Sequence, residues 1–229
     1  MNVDTLLGRG AARMFPGTPG HHGVLPPLLV VLTLVTGLVD AVSYLGLHHV
    51  FVANMTGNVV FLGFALAGGT GLSAVASTLA GVAFLTGALV GGRLAPRIAE
   101  PVRLFALLVA AHAVLVAAAL VTALAAHVTY VLIVLLALGM GMQNAVVRRL
   151  AVPDLTTTVL TMTLTGLAAD PPGPAGVRRL LSVAAMFGGA LAGGLLQRSH
   201  GTAAALAPAV LLLVAVALAA GASARPVPA

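Results

Sequence analysis

Gly37-Leu38-Val39-Asp40-Ala41, followed by Val52-Ala53-Asn54-Met55-Thr56-Gly57-Asn58, decides how this chain reads. The first stretch places a carboxylate inside an apolar run that extends from about residue 24 to residue 47. A membrane-spanning helix needs about 20 such residues. The second stretch is short and apolar overall, yet it carries two asparagines and a threonine. A diverged copy of the pair follows downstream as Gly141-Met142-Gln143-Asn144-Ala145 and then Val159-Leu160-Thr161-Met162-Thr163. The rest of the chain reads as two copies of one unit built around this pairing.

Composition agrees with a membrane setting. Hydrophobic residues make up 60% of the chain and charged residues 7%, and the mean hydropathy is +1.12. A soluble domain carries about 25% charged residues and does not tolerate the apolar surface this chain would expose. Segments of about ten residues with alternating polarity would mark a β-barrel, and the runs show none. The class is therefore an all-α integral membrane protein in contact with the lipid bilayer. The net charge of +6 comes from eleven basic residues, all arginine. They lie between apolar runs rather than in a patch, which excludes nucleic acid as a partner and makes them markers of orientation. The absence of cysteine excludes disulfides, zinc–thiolate centres and cysteine nucleophiles.

Six runs have spanning length, at about 24–47, 72–94, 102–125, 128–147, 177–196 and 203–221. Pro26 and Pro27 suit the first turn of the first run. Two shorter, polar-spotted segments lie at about 50–67 and 154–169. Gly68-Gly69-Thr70-Gly71 ends one of them, and Asp170-Pro171-Pro172-Gly173-Pro174 ends the other. Residues 1–23 read as a cytoplasmic arm and not as a signal peptide, because no apolar core and cleavage site follow Arg9 and Arg13. A short tail covers 223–229.

Three collinear matches define the repeat. Gly37, Asp40 and Ala41 match Gly141, Asn144 and Ala145 at an offset of 104. Thr56 and Asn58 match Thr161 and Thr163 at 105, and Gly87 and Gly91 match Gly189 and Gly193 at 102. The units are 24–125 and 126–222. The arginines then choose the topology. If both short segments enter and leave on one side, ten of the eleven arginines fall inside with both chain ends, and only Arg198 falls outside. If both span, the split is six to five and carries no bias. The expected fold is six transmembrane helices plus two short re-entrant or broken helices. Three spans per unit invert the second unit, which gives an inverted 3+3 internal repeat of the kind transporters use around a midplane site.

An acid at the centre of a spanning helix costs about 2.5–3.5 kcal/mol on insertion scales and usually faces a cavity or a bundle interior. Asp40 is therefore the leading candidate for an ion or solute pathway. A hydrogen bond between helices is its structural alternative. Asn54, Thr56 and Asn58 join it, with a helix break expected at Gly57 to free backbone groups for a ligand. Gln143, Asn144, Thr158 and Thr161 are their second-copy counterparts, although threonines also bond back to their own helix. The GxxxG pairs Gly87/Gly91 and Gly189/Gly193 are expected to pack helices, with homo-oligomer contact as their other use. His48 and His49 point about 100° apart on a helix, and His112 stands alone, so no metal site is expected. Neither HExxH nor GxSxG occurs, so no enzymatic activity and no cofactor are expected.

The stretches Thr36–Leu45 and Phe51–Asn58 resemble the YoaK-like bacterial membrane proteins, domain of unknown function 1275. Gly139-Met140-Gly141-Met142-Gln143-Asn144-Ala145 and Thr158–Thr165 are similar to that family's second signature, departing at Met162 where glycine is expected. The resemblance covers about residues 28–222. It implies a small multi-pass protein of the bacterial cell membrane and brings no substrate. From the residues themselves, the expected function is a permease or channel-like transporter of a small solute or ion through a polar site near Asp40. The alternative is a structural or regulatory membrane protein. A polar cavity beside Asp40 would favour the first, and close packing there the second.

Overall fold

The computed structural model describes residues 23–126 and 128–224. The proposed N-terminal arm up to residue 22, the end of the tail and three of the counted arginines, Arg9, Arg13 and Arg225, lie outside these residues. Among the described residues every regular element is helical. The elements are α1 Leu25–Gly46, α2 Met55–Leu66, α3 Ala74–Leu94, a 3₁₀ turn Ala95–Arg97, α4 Pro101–Ala125, α5 Thr129–Leu150, α6 Thr161–Ala169 and α7 Pro174–Ser223.

Local chemistry sets the boundaries. Pro26 sits in the first turn of α1, where its missing N–H costs nothing. Ser73 accepts from Ala76 N at 3.1 Å to open α3, and Glu100 accepts from Val102 N at 3.0 Å to open α4. Five helices are long and apolar enough to cross a membrane. The fifth, α7, has 50 residues. At 1.5 Å per residue it is more than twice as long as a ~30 Å hydrocarbon core requires. Gly201, with φ 81° and ψ −178°, interrupts it between the two runs expected at 177–196 and 203–221. Large apolar side chains such as Leu66, Leu85, Leu124 and Leu218 are exposed on the outside. Lipid makes that arrangement stable, whereas water would not.

Close glycine contacts hold the bundle together. A methyl group added at Gly37 would run into the Met186 carbonyl, and one added at Gly189 into the Leu34 carbonyl. The α3–α5 pair repeats this pattern. Gly141 faces the Phe84 carbonyl, Gly87 faces that of Leu138, and Gly91 lies against Met142 as Gly193 lies against Leu38. The GxxxG positions therefore pack helices within the chain.

These contacts also fix helix directions. Along α1 and α7 the contacting positions rise together, Leu34 with Gly189 and Leu38 with Gly193, so the helices run parallel. The same holds for Gly87 with Leu138 and Gly91 with Met142, so α3 and α5 are parallel. By contrast, α1 and α5 run antiparallel. Thr36 meets Gln143 at 3.1 Å, while His48, just beyond the far end of α1, packs on Tyr130 in the first turn of α5, with ring centroids 5.5 Å apart.

The expected break at Gly57 is not where the helix breaks. Helix α2 starts at Met55 and continues through Gly57. The non-helical backbone lies before it, after a turn at His48 and His49 with φ of 60° and 56°. The glycine is needed for contact instead, since a Cβ there would sit 2.9 Å from the Phe51 ring.

Candidate functional site: a cavity beside Asp40

Beyond the end of α1 the chain turns and doubles back. Asp40 Oδ1 accepts from Val52 N at 3.1 Å and from Ala53 N at 2.9 Å. Asp40 lies six residues before the end of α1, so the returning segment reaches about 9 Å back along the helix at 1.5 Å per residue. Asn58 completes the arrangement. Its Oδ1 accepts from Phe51 N at 2.9 Å, and its Nδ2 donates to Phe51 O at 2.5 Å. Without water, non-helical backbone needs such partners. Part of the polar motif therefore holds the returning segment in place.

Around Asn144 the chain shows a similar arrangement with different chemistry. Asn144, six residues before the end of α5, accepts from Thr158 Oγ1 at 2.6 Å through its Oδ1. Thr158 stands 105 residues after Ala53, so the side-chain hydroxyl replaces the backbone N–H. Next to it, Gln143 Nε2 donates to Thr157 Oγ1 at 3.3 Å as well as to Thr36.

Between the two returning segments lies a cavity of about 550 Å³, within the size range of small-molecule sites. Asp40, Asn54, Thr56, Thr158 and Thr161 line it. Gln143 and Asn58 do not. They are buried and occupied by the bonds above. Asn144 is likewise absent from the lining and acts through Thr158. Phe51 and Phe61 form part of the wall, stacked at 5.8 Å, with Tyr44 stacked behind Phe51 at 4.9 Å. Met186 and Ala190 of α7 close the side next to Gly37. The starts of α2 and α6 both border the cavity. Asn54 caps the first, accepting from Gly57 N at 3.4 Å, whereas α6 has no side-chain cap.

The sequence reading missed two features. The first is the aromatic wall, since isolated phenylalanines in an apolar chain carry no spacing signal. The second is an ion network. Arg178 and Arg179 bind Asp154 at 2.6 and 2.8 Å, and Arg179 also reaches Asp170 at 2.5 Å. The network ties both ends of the second polar segment to the start of α7. Burial alone would push the Asp154 carboxyl up, but hydrogen bonds from Arg178 and Arg179, together with their charges, outweigh it and hold the group below the usual carboxylate range. A depressed folded-state value stabilises the fold above the unfolded value near 3.9, and that stability is lost as pH falls through the folded value. Asp154→Asn is expected to lower stability by about 2–3 kcal/mol at pH 7, short of the fully buried case because the site keeps some water contact. The gap to the parent protein should close only well below about pH 4. Thermal melts followed by circular dichroism across that range check this, and a gap that persists unchanged at the acid end contradicts it.

His112 is fully buried on α4, pressed against Gly139. Gln143 is its polar neighbour, though among the described residues neither ring nitrogen nor Gln143 Oε1 reaches a partner within strict hydrogen-bond geometry. No group of three or more His, Cys, Asp or Glu side chains capable of holding a metal occurs among the described residues.

Comparison with known proteins gives one family. The model of the family described as "Protein of unknown function (DUF1275)" matches residues 28–219. The chain is also similar to UPF0700 transmembrane protein YoaK of Bacillus subtilis (strain 168), with 34% identity over 150 residues, 64% of this chain and 67% of that protein. No solved structure matches.

Proposed function

Because the chain belongs to the DUF1275 family, which is defined without an activity, we propose a function from the site alone: a non-enzymatic permease or channel-like transporter of a small solute or ion. The observation that carries this reading is the cavity beside Asp40, bounded by both copies of the polar motif. This half-open cleft, lined by an acid, hydroxyls and an amide, keeps costly polar groups in an apolar bundle, where such groups usually mark a solute or ion path rather than a scaffold.

The reading includes six spans, with α7 counted twice about Gly201, and α2 and α6 as re-entrant helices. Helix directions support it. If α2 and α6 each crossed the membrane, α1 and α5 would run the same way, whereas their contacts run antiparallel. The matched glycine contacts support the inverted repeat, with the first helix of each unit packed on the second helix of the other. Both chain ends then face the cytoplasm of a bacterial cell, with Arg198 on the outer side. The chain has no cysteine, so single cysteines at His49, Thr70, Pro153 and Pro172 can be labelled in intact cells with an impermeant maleimide. The first two are expected to label and the last two to be protected. Opposite sides for 49 and 70 would remove the re-entrant reading.

Solute flux into liposomes containing the purified protein tests the function itself. Flux above that of empty vesicles, dependent on Asp40, is the expected result. A panel of small neutral and charged solutes that all stay excluded would leave the scaffold reading in its place.

A further inference from the structure

We infer that the solute taken by this cavity is a small organic cation, held through an ammonium group by Asp40 and the aromatic wall. This rests on the transport reading of the same site and adds its substrate class. Among the described residues that line the cavity, Asp40 is the one ionisable side chain, and none is an arginine, lysine or histidine. Both backbone donors that reach Asp40 go to Oδ1. No hydrogen bond of the described residues uses Oδ2, so that oxygen remains to meet a ligand.

The alternatives fit less well. A bare metal cation needs a shell of about six or more oxygens at short range, and the cavity offers one carboxylate in about 550 Å³. At about 30 Å³ per molecule, that volume corresponds to roughly eighteen waters, which is room for an organic solute. An anion finds no basic side chain among the described lining residues. The uncapped start of α6 offers about half a unit of positive charge, less than the full unit carried by an ionised Asp40. Phe51 and Phe61 line the wall, stacked 5.8 Å apart. Aromatic rings attract ammonium groups by about 0.5–2 kcal/mol and do not suit a hydrated ion. Thr56, Thr158, Thr161 and Asn54 supply hydroxyls and an amide for the polar remainder of the solute.

Isothermal titration of the full-length protein in detergent, with choline and ethanolamine as cationic probes, tests this. The comparison ligands are 3,3-dimethyl-1-butanol, the uncharged carbon isostere of choline, and acetate. At least one cation is expected to bind at least tenfold more tightly than the isostere. Asp40→Asn should erase that preference, and Phe51→Leu should weaken it severalfold. Circular dichroism checks that both variants remain folded. Equal binding of the isostere, unchanged cation binding in a folded Asp40→Asn protein, or binding of acetate alone or of none of the probes overturns the inference. Flux distinguishes this failure from failure of the transport reading. Flux of neutral solutes without cation preference sinks the substrate class and leaves transport standing. Cation binding without flux of any solute sinks transport and leaves the binding site standing.

Discussion

Valine at Gly141 or at Gly37 is expected to cost the protein about 3 kcal/mol or more and to leave little folded material. Neither position has space for even one methyl group. The obstacle is backbone, the carbonyl of Phe84 for Gly141 and that of Met186 for Gly37. A flexible side chain could swing aside, but a helix backbone moves only if the whole helix shifts. Overpacking of ordinary cores costs about 1–3 kcal/mol, and a rigid obstacle places these sites at the top of that range. Total stabilities of about 5–15 kcal/mol leave a small margin for such a loss. Gly63 and Gly188 are the controls. Both lie in helices with open space where a Cβ would go, so alanine there should be neutral or raise stability by up to about 1 kcal/mol. The chain has no tryptophan, so far-ultraviolet circular dichroism and size-exclusion behaviour in detergent are the appropriate measurements. Normal yield and melting for Gly141→Val would show that the α3–α5 contact is looser than described.

The second large effect separates the two duties of Asp40. Asp40→Ala should abolish flux and also reduce stability by about 2–4 kcal/mol, because Val52 N and Ala53 N lose their acceptor away from water. Each stranded donor costs about 1–3 kcal/mol. Asp40→Asn keeps a carbonyl oxygen for those two donors, as Asn144 offers one to Thr158. It should therefore melt within about 1 kcal/mol of the parent, while flux in liposomes falls by at least tenfold. A folded Asp40→Asn protein with parental flux would confine Asp40 to the structural duty. Loss of folding in Asp40→Asn as well would show that the charge itself holds the returning segment.

The contrast between Asp40 and Asn144 also marks how far sequence could reach. Both residues were legible as candidates because each puts a polar side chain inside an apolar run of spanning length. That both hold a returning segment was not legible. Asp40 bonds to backbone N–H groups twelve and thirteen residues away, and backbone donors leave no trace in residue identity. Asn58 looked like a pathway residue for the same reason. Its partner is the backbone of Phe51, which any residue but proline at position 51 would supply.

The sequence by itself determined that this is a helical membrane protein. Too few of its residues carry charge for a water-facing surface, and its apolar runs have the length a bilayer demands. It also marked Gly87, Gly91, Gly189 and Gly193 as helix-packing positions, since close backbone approach admits only the smallest side chain. Tertiary structure decided what lies between those helices. It placed Asp40, Thr56, Thr158 and Thr161 around one cavity, set Asn58 and Gln143 aside as buried supports, and brought Phe51 and Phe61 into the wall. It also joined Asp154 to Arg178 across 24 residues. Periodicity fixes which face of a helix is apolar. Which side chains line one cavity depends on how the helices cross, and here the crossings are set by backbone-to-glycine contacts between distant parts of the chain.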